Sequence, residues 1–356
     1  MKTTKTIKTT LQLLALSVVL IISSCNKDDE NAKNGAFSNG IFIVNEGVFQ
    51  TGAGTITYFD PDSNLVKQDI FEAVNGRPLG NIAQSMTIYN GKGYIVMNNS
   101  GKVEVVDVAT FKSEATIADL KNPSQFLVVD AGKAYVSDWI GNIAVVDLAT
   151  NKISKTIPAG TGPDAMLKSG NYVYVANQGG FGVDSTVSVI DFTTDKVIKT
   201  IYVGDAPTGM VADANGRIWV LCKGKGFAGW SQLSDTPGRI VSIDPVKLTI
   251  DFKYDFATAD DHPEKLVINK QKSMIYFLYN YGVYRFNITV ANASPEKINA
   301  RSFYSIGYEN KTGYLYVSDP KNYSSNGFVI RLRADNGSVV DSIQAGIIPR
   351  AFVFPE

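Results

Sequence analysis

One unit returns along this 356-residue chain: a short apolar strand opened by proline, a tight polar turn, a strand ending Tyr-Val, a variable loop, Val-x-Val-Val-Asp, and a closing Thr-x-Lys-hydrophobic segment. The third strand of the unit ends at Asp60, Asp107, Asp147, Asp191, Asp244, Asn287 and Arg331, at spacings of 47, 40, 44, 53, 43 and 44 residues. Such periods belong to propeller blades, because a single four-stranded sheet cannot cover both of its faces and must stack on a neighbour. Seven units predict an all-β chain folded as a seven-bladed β-propeller. Innermost strands are expected to begin near Ala83, Pro123, Pro163, Pro207, Pro263 and Ser302, with a last one at Pro349. Residues 349–354 read as a first strand without the rest of its blade, while the N-terminal segments 40–45 and 54–60 lack just that strand. The two ends should therefore share a blade, which removes two open sheet edges and ties down both termini.

Tyr174-Val175-Ala176-Asn177, Val189-Ile190-Asp191 and the Lys-Val-Ile-Lys-Thr-Ile run at 196–201 resemble the YVTN family of bacterial surface propellers, a likeness that spans nearly all of the chain after its leader. Plentiful Tyr, Phe and Gly suit the same class. Lys plus Arg equal Asp plus Glu at 34 each, with no basic run or stripe, so nothing points to a nucleic-acid partner.

In an antiparallel meander the connections alternate between the two ends of a blade. One end, here called the bottom, receives short turns such as 89–93, 147–152, 169–171 and 213–217, and the aspartates closing third strands are read there as turn caps. The other end, the top, receives loops of uneven length rich in glycine and aromatics. They carry Phe49, Trp139, Gln178, Phe181, Tyr281 and Tyr323, and the longest, 223–238, carries Phe227 and Trp230. Gln84, Ser124, Gln125, Asp164, Thr208, Glu264 and Arg350 follow the leading prolines or their equivalents and are expected at the inner rim of the top. A polar rim inside aromatic walls describes a site for a large ligand with polar and apolar parts. It equally describes the water-filled mouth of a propeller channel.

Residues 1–24 read as a signal peptide, with Lys2, Lys5 and Lys8 ahead of an apolar run from Leu11 to Ile22 that is too short to span a membrane. Ser23-Ser24-Cys25 resembles a bacterial lipobox, in which Cys25 is lipidated and becomes the mature N-terminus. The Lys-Asp-Asp-Glu run at 27–30 resembles the acidic export signal of Bacteroidetes surface lipoproteins. Together they imply an outer-membrane lipoprotein facing the exterior, with a lipidated tether at 25–38 and the propeller at 39–356. Cleavage removes three lysines and no acid, taking the net charge from about zero to about −3. The other cysteine, Cys222, lies in an apolar strand pattern and reads as a small buried hydrophobe; with Cys25 lipidated, no intrachain disulfide forms.

No catalytic or metal site emerges. His262 is the single histidine; it fits a metal ligand or, more simply, a partner for a neighbouring carboxylate. Asp260, Asp261 and Glu264 fit calcium binding, acid–base work as in propeller lactonases, or plain solvation. Residue count permits a Ser-His-Asp triad, but there is no Gly-x-Ser-x-Gly elbow, no Walker loop and no dinucleotide fingerprint.

The lipobox, the acidic signal, the seven YVTN-type units and the segments 45–54 and 224–230 together resemble the surface cobalamin-binding lipoproteins of Bacteroidetes, the BtuG type. That resemblance implies a non-enzymatic protein without a covalent cofactor. It would capture cobalamin or a related corrinoid on the top face and deliver it to a TonB-dependent outer-membrane transporter. A corrin disc has apolar edges and a fringe of amides, which aromatic walls and Gln84, Gln125, Asn177, Gln178 and Arg350 would suit. A glycan-binding or protein-interaction propeller and a calcium-dependent hydrolase are the other readings.

Overall fold

The computed structural model describes residues 35–37, 39–226 and 234–355, so Cys25, the leader, Phe227 and Trp230 lie outside the described residues. After β1 (Ile41–Asn45), β2 (Thr55–Asp60) and β3 (Leu65–Lys67), a short helix α1 (Ile70–Asn75) leads to blade two, formed by β4 (Ala83–Tyr89), β5 (Lys92–Met97), β6 (Lys102–Asp107) and β7 (Ser113–Ile117). Blade three is β8 (Pro123–Asp130), β9 (Lys133–Asp138), β10 (Asn142–Asp147) and β11 (Lys152–Pro158); blade four is β12 (Pro163–Ser169), β13 (Tyr172–Asn177), β14 (Thr186–Asp191) and β15 (Lys196–Tyr202). Blade five comprises β16 (Pro207–Ala212), β17 (Ile218–Cys222), β18 (Arg239–Asp244) and β19 (Thr249–Asp255), and blade six β20 (Glu264–Ile268), β21 (Met274–Tyr279), β22 (Gly282–Asn287) and β23 (Glu296–Asn299). Blade seven is β24 (Ser305–Tyr308), β25 (Tyr314–Asp319), β26 (Asn326–Arg333) and β27 (Val339–Ile347), and β28 (Pro349–Val353) returns to pair with β1.

Blade one therefore has the order β28-β1-β2-β3, with Ile43 opposite Phe352 and Val44 opposite Ala351. The seven innermost strands touch in a closed cycle, so the expected fold class and the shared terminal blade are both borne out. Second and third strands are buried along nearly their whole length because neighbouring blades cover both faces. Tyr174, Val187 and Val189 of blade four, for example, pack against Ile218, Val220 and Val241 of blade five. Fourth strands alternate exposed and shielded residues and carry lysines such as Lys155 and Lys199. In six blades the third–fourth pairing contains a register shift. Charge and bulging both blunt an outer edge against pairing with another chain.

The bottom turns are capped as the sequence implies. Asp147 accepts from Thr150 N and Oγ1 at 2.8 and 2.9 Å, and Asp191 from Thr193 N and Oγ1 at 2.9 and 2.7 Å. Asn287 does the same with Thr289. These bonds hold the carboxyls of Asp107, Asp147, Asp191 and Asp244 below their ordinary range.

Two boundaries differ from the sequence reading. β26 runs to Arg333 rather than ending at Arg331, and β24 begins at Ser305 rather than near Ser302. Phe37, which the sequence reading placed in the tether at 25–38, is buried between Tyr58 and Phe111, with ring centroids at 5.2 and 5.8 Å. Its amide bonds the carbonyl of Ala109 in a bottom turn, so the chain joins the propeller from below.

Candidate functional site

At the top of the innermost strands a local irregularity recurs. Six of the seven first–second strand pairs contain a register shift just after the leading residue. The residues that fall in these bulges are Gln84, Ser124 with Gln125, Asp164 with Ala165, Thr208, Lys265 with Leu266, and Arg350. A bulge re-aims side chains that a regular pleat would send between the sheets, and here it gathers polar groups around the channel mouth. The positive φ of Ile82, Gly162, Ala206 and Ile348, each directly before Ala83, Pro163, Pro207 or Pro349, marks the sharp entrance to the strand.

Hydrogen bonds tie this ring together across blades. Gln84 Nε2 reaches Ser124 Oγ at 3.4 Å, and Ser124 Oγ donates to Asp164. On the opposite side Arg350 Nη1 donates to Glu46 Oε2 at 2.9 Å and to Tyr304 Oη at 3.1 Å, while Tyr304 donates to the same Glu46 oxygen at 2.8 Å. Burial pushes the Tyr304 phenol up, so it remains a donor. In blade six the bulge residue is Lys265 and not Glu264; Glu264 pairs in the ladder with Leu278 and lies 3.8 Å from Lys223 Nζ. Lys265 stands over the ring of Tyr304, 5.7 Å from its centroid.

The sequence-derived candidates divide by accessibility. Phe49, Phe181, Tyr281 and Tyr323 are exposed, Phe181 by 85 %, and with Tyr202 they are all the exposed aromatics among the described residues. All five lie on the top face or at a strand's upper end. Tyr281 and Tyr323 are held at φ 54 and 60, a region that costs an aromatic residue and favours glycine. Trp139 is half-buried, edge-on to Phe181 at 5.8 Å, with its Nε1 shielded and unpartnered among the described residues. Gln125, Asp164, Gln178, Thr208, Glu264 and Arg350 are partly accessible. Gln84 and Asn177 are buried: Asn177 Nδ2 spends its protons on Thr186 Oγ1 and Ser188 Oγ at 2.9 and 3.0 Å, stapling second to third strand.

A depression of about 510 Å³ opens beside blade six, lined by Asp260, Asp261, His262, Glu264, Tyr279, Tyr281 and Phe303 among others. Its acids are largely occupied: Asp261 accepts from Tyr279 Oη and from Thr258 N. His262 is buried and bonds the backbone carbonyl of Lys223 through Nδ1 at 3.0 Å, so its partner is a carbonyl rather than a carboxylate. That bond assigns the proton to Nδ1. Among the described residues no cluster of three acids, cysteines or histidines has the geometry of a metal site. Cys222 is fully buried, its thiol pushed up by desolvation.

Sequence pattern missed Lys265, Glu46 and Tyr304. Glu46 and Tyr304 sit in connections whose length varies from blade to blade, and Lys265 reaches the rim only because the bulge of blade six begins one residue later than the proline suggests.

These features define a closed seven-bladed propeller whose exposed aromatic groups, among the described residues, gather at one end. The chain belongs to the family described as "Domain of unknown function (DUF5074)", which matches residues 39–355. No curated protein matches it. Among solved structures it is similar to a quinonprotein alcohol dehydrogenase-like protein from Bacteroides thetaiotaomicron, with TM-score 0.68 and 17 % identity over 89 % of this chain and 78 % of that one. A functionally unknown protein from Desulfotomaculum acetoxidans gives 0.65 and 16 % over 90 % and 100 %. The periplasmic gluconolactonase of Pseudomonas aeruginosa gives 0.63 and 12 % over 88 % and 98 %. At these identities the likeness is one of fold.

Proposed function

We propose that the top face is a non-catalytic capture surface for a large amphipathic ligand, of which a corrinoid is the best match. The observation that carries the reading is the confinement of exposed aromatics to one end, with Tyr281 and Tyr323 held at strained positions where glycine is the cheaper residue. Backbone strain of this kind is retained where a side chain must be displayed. Around a polar mouth, Phe49, Phe181, Tyr281 and Tyr323 offer flat apolar contact to a macrocycle, and Gln125, Gln178, Thr208 and Arg350 offer donors and acceptors to its amides. Rigid blade-to-blade bonding beneath them keeps the ordering cost of binding low.

The path of the chain suits this role. Residue 35 packs beside Ala109 at the bottom, ten residues after Cys25. A lipid at Cys25 therefore anchors the bottom end and leaves the top free for ligand and for the TonB-dependent transporter that receives it. The lactonase-like alternative gains little here, since Asp261 is already bonded through both carboxylate oxygens.

The test is calorimetry of the lipid-free chain from Asn26 with cyanocobalamin and cobinamide, against a glycan panel. One-to-one corrinoid binding without glycan binding is the expected result. Glycan binding in its place, or chelator-sensitive ester hydrolysis, would transfer the face to another ligand class.

A further inference from the structure

We propose that Lys265 and Arg350 form an anion subsite at the top mouth of the channel, taking a carboxylate or phosphate group of whatever ligand the face holds. The two cations share one aromatic platform. Lys265 Nζ lies 5.7 Å above the Tyr304 ring, and Arg350 Nη1 lies 3.1 Å from that residue's hydroxyl oxygen. Arg350 has a counter-ion in Glu46. Lys265 has none: no carboxylate of the described residues lies within ion-pair distance of it, and it donates no hydrogen bond among them.

The acids that face Lys265 are Glu46, Asp164 and Glu264, and each is engaged elsewhere. Glu46 accepts from Arg350 and Tyr304, Asp164 accepts from Ser124, and Glu264 faces Lys223. Nor is the ammonium simply out in solvent. It is partly covered, and burial first, then the nearby Arg350 charge, bring its pKa down to about 8. A group so placed is still mostly protonated at neutral pH, and an incoming anion relieves both its desolvation and its repulsion from Arg350. The backbone adds an independent sign, because Lys265 occupies the blade-six bulge at φ 60, where a long side chain is presented at a conformational cost. The guanidinium contributes planar donors and the ammonium a point charge, a pairing that fits the oxygens of a phosphate or carboxylate.

The subsite rests on the capture reading only in taking the ligand from the top face, so it is tested with small anions. The lipid-free chain is reductively methylated with carbon-13 formaldehyde, which keeps every lysine charged, and the Lys265 signal is assigned as the one missing in Lys265→Arg. Inorganic phosphate and acetate are then titrated in at constant ionic strength. The expected result is a saturable shift of the Lys265 signal with at least one anion, and a rise in its titration midpoint once the anion saturates. Response to phosphate alone or to acetate alone identifies the group the site prefers. A Lys265 signal that moves no more than those of surface lysines such as Lys247 overturns the proposal. Corrinoid binding measured in parallel keeps the two claims apart: a saturable anion shift in a chain that ignores corrinoids sinks the capture reading and leaves the subsite standing.

Discussion

The two ends of this propeller are built from the same repeat and have diverged in opposite ways. At the bottom, turn after turn begins with Asp or Asn accepting from a residue two or three positions on, with near-identical bond lengths in blades two, three, four and six. At the top, connections between second and third strands range from the two-residue Asn280-Tyr281 turn to the long 223–238 segment, and no two have the same length. A turn satisfied by its own first residue is capped within its blade, and some bottom turns add a bond to the next blade, as Lys133 does to Asp195. The top rim is bonded between blades, through pairs such as Ser124 with Asp164 and Tyr304 with Glu46. One local cap thus recurs through the bottom, while the top connections are free to vary in length and composition.

The largest expected effect lies at neither end and calibrates both. Glu104 of β6 is fully buried and held by Arg77 at 2.6 Å, Lys102 at 2.7 Å and Ser113 at 2.5 Å. Desolvation opposes its charge, but these partners win and its carboxyl sits below the ordinary value. Removing the carboxylate in Glu104→Ala breaks charged hydrogen bonds to Arg77 and Lys102, both of which keep access to water, and should cost about 1.5–3 kcal/mol in denaturant unfolding. The sign of the pH dependence follows from the lowered value. This contribution is complete above the unfolded carboxyl range near 4.5 and is lost as pH falls through the folded value, so the gap between wild type and variant should narrow in acid.

Next comes a change confined to the top. Tyr281→Gly with Tyr323→Gly should weaken corrinoid binding at least about tenfold, or about 1.4 kcal/mol, while leaving the fold intact. Tyr281→Gly alone should raise stability by about 1 kcal/mol through relief of its left-handed backbone; a fall in the thermal midpoint would mean the ring is a structural cap. Smaller still are bottom changes: Asp147→Ala and Asp191→Ala should slightly lower the unfolding midpoint and leave ligand affinity within about twofold. A bottom variant that abolished binding would erase the distinction between the ends.

Much of the frame was legible in the sequence because blade strands and bottom turns obey local rules. Period gave the blade count, the unmatched segment at Pro349 gave the closure, and Asp147 or Asp191 followed by Thr gave the caps. The rim was only half legible. Position after proline located Asp164, Thr208 and Arg350, yet in blade six the later bulge put Lys265 at the mouth and left Glu264 in the ladder. Asn177, whose motif suggested an accessible amide, is consumed by Thr186 and Ser188. Gln84 is buried against Ser124. Which side chain faces water at a bulge depends on pairing across two strands, and a single strand's sequence does not hold that information.

Whether one end binds while the other only holds is decided by hydrogen exchange of the lipid-free chain with and without saturating cyanocobalamin. The expected result is added protection in the top connections, 46–54, 178–185, 280–281 and 320–325, with the bottom turns at 108–112, 148–151 and 192–195 unchanged. Protection centred on the bottom turns, or none anywhere under conditions that saturate a known corrinoid binder, would contradict it.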